Sequence, residues 1–158
     1  MGNGDSVMSD RLAVALLILR LTLGIFLLQW GVEKLVHPEM SSAIFDRFYG
    51  VQAPAAPIYA AGIAEILIAL ALAGGLAQPV TYWLALGIHA VTVVVSWRQL
   101  THPWMSQGSH LFIASVPVLA AFVTLVMLRQ WDVFSVDHRM GWLTHRMKRL
   151  PQIPSSIC

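Results

Sequence analysis

At 158 residues the chain is 57% hydrophobic and 11% charged, with a formal net charge of +2 and a mean hydropathy of +0.68, whereas an ordinary soluble domain carries about 25% charged residues. That balance excludes a water-soluble globular enzyme and a binder of nucleic acid, and it points to one small integral membrane protein. The single cysteine, Cys158, excludes a self-contained membrane thiol oxidoreductase, which needs a pair of thiols to pass a disulfide along.

Four apolar stretches, each of roughly 17 to 25 residues, are long enough to cross a hydrocarbon core of about 30 Å. The first, Leu12–Val32, is read as a retained helix, because it is too long for a signal-peptide core and no small-residue cleavage site follows it. The segment after it, "EKLVHPEMSSAIFDRFYGVQAPAAP", alternates Phe45, Phe48 and Tyr49 with Asp46 and Arg47. This pattern predicts a short helix lying on the membrane surface, ended by closely spaced prolines. The second span is Ile58–Leu76 and the third Val80–Trp97, joined by the uncharged turn "GGLAQP". The loop "RQLTHPWMSQGSH" follows, in which Trp97 and Trp104 suit the aromatic belt of a bilayer. The fourth span is Leu111–Leu128; its Pro117 frees the carbonyl of Ile113 and predicts a bend.

These spans divide the chain into a four-span domain, residues 1–130, and a tail, 131–158. In the tail Val133, Val136, Met140, Leu143, Met147 and Leu150 recur at intervals of three and four. His138, Arg139, Arg146, Lys148 and Arg149 occupy other faces. The tail therefore reads as an amphipathic helix on the anionic inner leaflet, with docking to a partner protein as the rival reading. The fold class is all-α, a transmembrane four-helix bundle. Lys and Arg outside the spans are concentrated on the side that carries both termini, which places that side in the cytoplasm and the protein in the inner (plasma) membrane.

Polar groups inside the spans need partners within the bundle. Arg20 shares a helical face with Ala13, Gly24 and Gly31, Glu65 one with Ala61 and Ala69, and His89 one with Tyr82, Thr92 and Ser96. Counted at about 1.5 Å per residue from the inner ends, Arg20, Glu65 and His89 lie near one depth. The expectation is an Arg20–Glu65 pair with His89 beside it, either a clasp that sets helix register or a working site. Tyr82, Thr92 and Trp97 line the adjoining stripe as candidate cofactor contacts. His37, His102 and His110, with Met105, form a candidate copper site. A lone intramembrane His89 is also a candidate haem ligand, although bis-histidine haem would need a second such histidine.

"LRLTLGIFLLQWGVEKL", then "HPE", then "AGIAEILIALALAGG" resemble the DoxX-like family of small four-helix membrane proteins. The likeness rests on Arg20 and Gly24, Gly31 and Lys34, and Gly62 and Glu65. It implies a left-handed four-helix bundle and an association with membrane redox chemistry, since one member type is the membrane subunit of thiosulfate:quinone oxidoreductase. With one cysteine, an electron carrier here must be a quinone or come from a partner. The resulting expectation is a redox-associated membrane subunit, enzymatic only as part of a quinone-linked oxidoreductase. The alternative is a non-catalytic anchor or assembly subunit in a larger complex or homo-oligomer, and a small-solute carrier ranks last.

Overall fold

The computed structural model describes residues 2–102, 104 and 109–141, with side chains from residue 8 onward other than those of 109 and 110. Its helices are α1 (Gly2–Val36), α2 (Pro38–Tyr49), α3 (Ala55–Gly74), α4 (Gln78–Val95), α5 (Trp97–Thr101) and α6 (Ser115–Leu128). Two 3₁₀ turns, Ser109–Ala114 and Arg129–Trp131, flank α6. Four segments are long and apolar enough to cross a membrane, and they contain α1, α3, α4 and α6. Among the described residues there is no strand.

The pairs α1–α3, α3–α4, α4–α6 and α1–α6 all pack together, which closes a four-helix bundle, and the α1–α3 interface is the most extensive. Glycines make that interface close. A Cβ on Gly31 would lie 2.8 Å from Ile66 Cγ1, and one on Gly62 would lie 2.9 Å from Lys34 Cβ and 3.0 Å from the Gly31 carbonyl oxygen. Lipid gives no hydrophobic drive to helix pairing, so this backbone contact supplies the attraction by van der Waals packing. The core runs through Leu16, Leu23, Leu27, Ala69, Leu72, Tyr82, Ala85, Phe122 and Leu125. Large apolar side chains such as Ile18, Ile25, Leu67, Val94 and Met127 face outward, the inversion that a lipid environment requires.

The two ends of the bundle differ. One carries the α3–α4 turn, where Gly75 adopts φ 68° and closes α3 with a left-handed C-cap. The other carries α2, α5 and the Ser109–Ala114 turn, and α2 packs against both α1 and α3. Proline starts α2 and left-handed Gly50 ends it, before the chain reaches the closely spaced prolines expected to stop it.

All four spans depart from their expected bounds, the second only slightly, with α3 at Ala55–Gly74 rather than Ile58–Leu76. The first helix starts at Gly2 rather than Leu12, so it runs about 27 Å past Arg20 toward its N-terminus. The third span ends at Val95, where the Ser96 hydroxyl bonds back to the Thr92 carbonyl at 2.7 Å; Trp97 therefore opens α5. The fourth changes its winding just before Pro117. Residues Ser109–Ala114 wind as a 3₁₀ turn, the Ser115 hydroxyl bonds the Phe112 carbonyl at 2.6 Å, and Pro117 enters in the first turn of α6, where it lacks no bond.

Candidate functional site

Arg20 lies at the α3–α4 turn end and is 2% exposed. Its guanidinium packs against Gly75 so closely that a Cβ there would collide with it and with Ser135. Its carboxylate partner is Asp132, just past α6: Nη1 donates to Asp132 Oδ2 at 2.8 Å, and Nη2 donates to the Phe134 carbonyl at 3.3 Å. The same Asp132 oxygen accepts from the Tyr82 hydroxyl at 2.5 Å and from Gln78 Nε2 at 3.1 Å. One carboxylate oxygen thus gathers three donors from α1 and α4, in a site sealed from water.

The chain after α6 is held there as a strap. Ser135 is fully buried; its hydroxyl donates to the Asp132 carbonyl at 2.9 Å and accepts from the His138 N–H at 3.2 Å, an N-cap for the helical segment 136–141. Asp137 accepts from the backbone N–H groups of Ala77 and Gln78 at 3.0 and 2.7 Å. The first turn of α4 has no side-chain cap of its own, and Asp137 supplies one where the helix dipole favours a negative charge.

Glu65 meets a different partner. Lys34 Nζ donates to Glu65 Oε2 at 2.6 Å and to the Trp30 carbonyl at 3.3 Å. This pair lies toward the α2 end, and its side chains keep 18% and 9% exposure, against 2% and 0% for Arg20 and Asp132. Tyr49 of α2 is within the field of Glu65. Burial, and after it the Glu65 charge, raise the tyrosine pKa above its ordinary value.

His89 stands apart from both pairs. Its Nε2 donates to the Ser115 carbonyl at 2.9 Å, and its ring packs edge-on against Phe26 and tilted against Phe122. That bond ties α4 to the start of α6.

The expected Arg20–Glu65–His89 cluster is therefore corrected to three separate sites. Arg20 is level with Gly75, ten residues and about 15 Å along α3 from Glu65. The register fixed by Gly31 against Gly62 leaves Glu65 near Lys34 instead. Of the candidate cofactor contacts, Tyr82 joins Arg20, whereas Thr92 is exposed and bonds the Ile88 carbonyl. Trp97 is 54% exposed, with Arg98 over its ring. His37 pairs with Glu39 at 3.4 Å and His102 with Thr101 at 2.9 Å; the His110 side chain and Met105 lie outside the described residues. Among those residues no three metal-ligating side chains come together. The tail stripe begins at a turn in which Asp132 and Ser135 are buried while Val133 is exposed, and it continues through exposed Val136 and Met140 on the helical segment 136–141; Leu143, Met147 and Leu150 lie outside the described residues.

Sequence reasoning missed Asp132 and Lys34 as partners. "WDVFSVD" offered a signal, two carboxylates set between apolar residues directly after a span. Lys34 lies two residues beyond the expected end of the first span at Val32, whereas α1 runs on to Val36.

A family model described as DoxX matches residues 15–98. The matched stretch contains Arg20, Lys34, Glu65, Tyr82 and His89, while Asp132 and Asp137 fall beyond it. No curated protein and no solved structure matches the chain.

Proposed function

The chain belongs to the DoxX family of small membrane proteins, and from that premise we propose that it is a redox-associated membrane subunit whose working groups are Lys34 and Glu65. The partner molecule is a quinone. The observation that carries this reading is the contrast in exposure: the Lys34–Glu65 pair is mostly buried yet keeps contact with its surroundings, and the Arg20–Asp132 pair does not. Only the first can receive a ligand or exchange a proton without unfolding.

The donor set suits a quinone carbonyl. A lysine ammonium has three N–H donors; Glu65 and the Trp30 carbonyl take two, and the third would go to the quinone oxygen. Glu65, bonded to that ammonium, would pass the proton to or from the bound molecule. A bound quinone supplies two-electron, two-proton chemistry, and the protein's part is to orient it and handle the proton.

The reading is tested by purifying the protein from native membranes and extracting its lipids for quinone chromatography. Wild type should retain quinone, and Lys34→Met and Glu65→Gln should each retain about tenfold less, the worth of one charge-assisted hydrogen bond. Equal retention by folded variants and wild type overturns it.

The excess of basic residues at the α3–α4 turn end further supports a cytoplasmic location for that end in the plasma (inner) membrane. The stripe continuing through Leu143, Met147 and Leu150 is read as an interfacial helix beyond the strap. Labelling of Cys158 by a membrane-impermeant maleimide in intact cells reads the sidedness directly.

A second reading, a non-catalytic anchor or assembly subunit, is favoured by His89. Its ring nitrogen is committed to a main-chain carbonyl and its faces to phenylalanines, so one expected catalytic group has a packing job. Under that reading the protein co-purifies with other subunits and without quinone.

A further inference from the structure

We infer that the α3–α4 turn end is a docking surface for anionic phospholipid headgroups, presented by the strap that Arg20 and Asp132 hold in place. It rests on the cytoplasmic orientation proposed above only for which leaflet supplies the lipid.

The argument starts from which charges at that end are already spent. Asp132 is taken by Arg20, Tyr82 and Gln78, and Asp137 by the N–H groups that open α4. With both carboxylates committed, Arg11, Arg129 and Arg139 stand exposed on three different segments of one end, opposed there by exposed Asp10. Among the described residues none of the three arginines has an acidic partner. At the α2 end the balance is reversed: Arg47 and Arg98 are outnumbered by Glu33, Glu39 and Asp46.

Apolar side chains accompany the arginines. Trp131, Val133, Phe134 and Val136 are 49%, 39%, 40% and 36% exposed, and they lie within the segment bounded by Arg129 and Arg139. Guanidinium groups set among exposed aromatic and aliphatic side chains match the boundary where phosphate headgroups meet acyl chains. Arginine pairs with phosphate in a bidentate manner, which a water-exposed patch alone would not need. The strap makes the surface a single unit, because it fixes Arg129 and Arg139 relative to α1 through Arg20.

The experiment uses the full chain in nanodiscs of pure phosphatidylcholine and of phosphatidylcholine with increasing phosphatidylglycerol. Native mass spectrometry of the released protein counts retained lipid, and thermal unfolding is followed in parallel. Wild type should retain phosphatidylglycerol and its Tm should rise with the anionic fraction, an effect weakened by salt as exposed charges are screened. Each of Arg11→Gln, Arg129→Gln and Arg139→Gln should lower retention about fivefold, and the triple variant should lose the dependence while keeping its Tm in neutral lipid. Arg47→Gln with Arg98→Gln serves as the control and should behave as wild type.

Three results overturn the proposal: a triple variant with undiminished phosphatidylglycerol dependence, a control variant that loses it equally, or the same stabilisation from inorganic phosphate in neutral nanodiscs. Maleimide labelling of Cys158 from outside the cell would instead overturn the orientation alone, since a phosphatidylglycerol dependence in nanodiscs does not depend on sidedness.

Discussion

Helix α1 carries one ion pair near each end of the bundle, and the two pairs do different work. Arg20 and Lys34 are fourteen residues, about 21 Å, apart on one helix. Arg20 reaches Asp132 across 112 positions of sequence, and that carboxylate also binds Tyr82 and Gln78. Lys34 reaches Glu65 across 31 positions, with one main-chain carbonyl besides. Full burial and three donors converging on one carboxylate oxygen make the first a lock; residual exposure makes the second exchangeable. The chemistry of the pair does not decide its role. The number of neighbours that complete it does.

The largest test of that difference removes one charge from the lock. Asp132→Ala leaves Arg20 buried without its counter-ion and should destabilise the protein by about 3–5 kcal/mol. Removing both charges in Arg20→Met with Asp132→Leu should cost clearly less than the sum of the single changes. Thermal unfolding in detergent, followed by circular dichroism, gives the comparison. Additive losses would mean that the two groups act independently and that no lock exists.

Next in size is Gly75→Ala. The residue holds a left-handed φ of 68° and its missing Cβ is the space occupied by the Arg20 guanidinium and by Ser135. Strain and displacement together should cost about 1–3 kcal/mol. Combined with Arg20→Met, which vacates part of the space, the alanine should cost less; an unchanged cost would show that backbone strain alone is at work.

Much of this was legible in the sequence, and the part that was not has a physical cause. Hydropathy located four spans because a bilayer imposes length and apolarity on every crossing segment. The expense of a buried charge singled out Arg20 and Glu65. Partner choice depends on the register between helices, to within a turn or so. Counting depth from assumed span ends placed Arg20 level with Glu65, whereas the glycines set the register, and Gly31 against Gly62 puts Lys34 by Glu65 and Arg20 by Gly75. Reading the small-residue faces as contacts to be aligned, rather than as packing in general, would have found Lys34. Asp132 was hidden differently. Ending the fourth span at Leu128 assigned everything after it to a surface tail, and the fold-back of a strap into a recess left by the short α3–α4 turn has no periodic signature.

Within the lock, the members other than the two charges should matter less. Tyr82→Phe removes one donor from Asp132 while Arg20 and Gln78 remain, and should cost about 1–2 kcal/mol. Asp137→Ala uncaps α4 and should cost about 1 kcal/mol. Its loss should also raise hydrogen exchange at Ala77 and Gln78, the two amides it covers. Protection at those amides unchanged by the substitution would mean that the Asp137 carboxylate does not cap α4.

The smallest expected stability effect is the most informative. Glu65→Gln leaves Lys34 bonded to the Trp30 carbonyl, and the partly exposed ammonium can extend toward water on its flexible stem. No charge is stranded, so the loss should stay below about 1 kcal/mol, even as quinone retention falls. Asp132→Asn is the matched change at the other end: the same conversion of carboxylate to amide, where Arg20, at 2% exposure, has no path to water and the buried charge must be carried unpaired. The ratio of the two destabilisations therefore measures directly how far the ends have diverged. If Glu65→Gln costs as much as Asp132→Asn, both pairs are locks, and Lys34–Glu65 loses its claim to be a working site whatever its exposure.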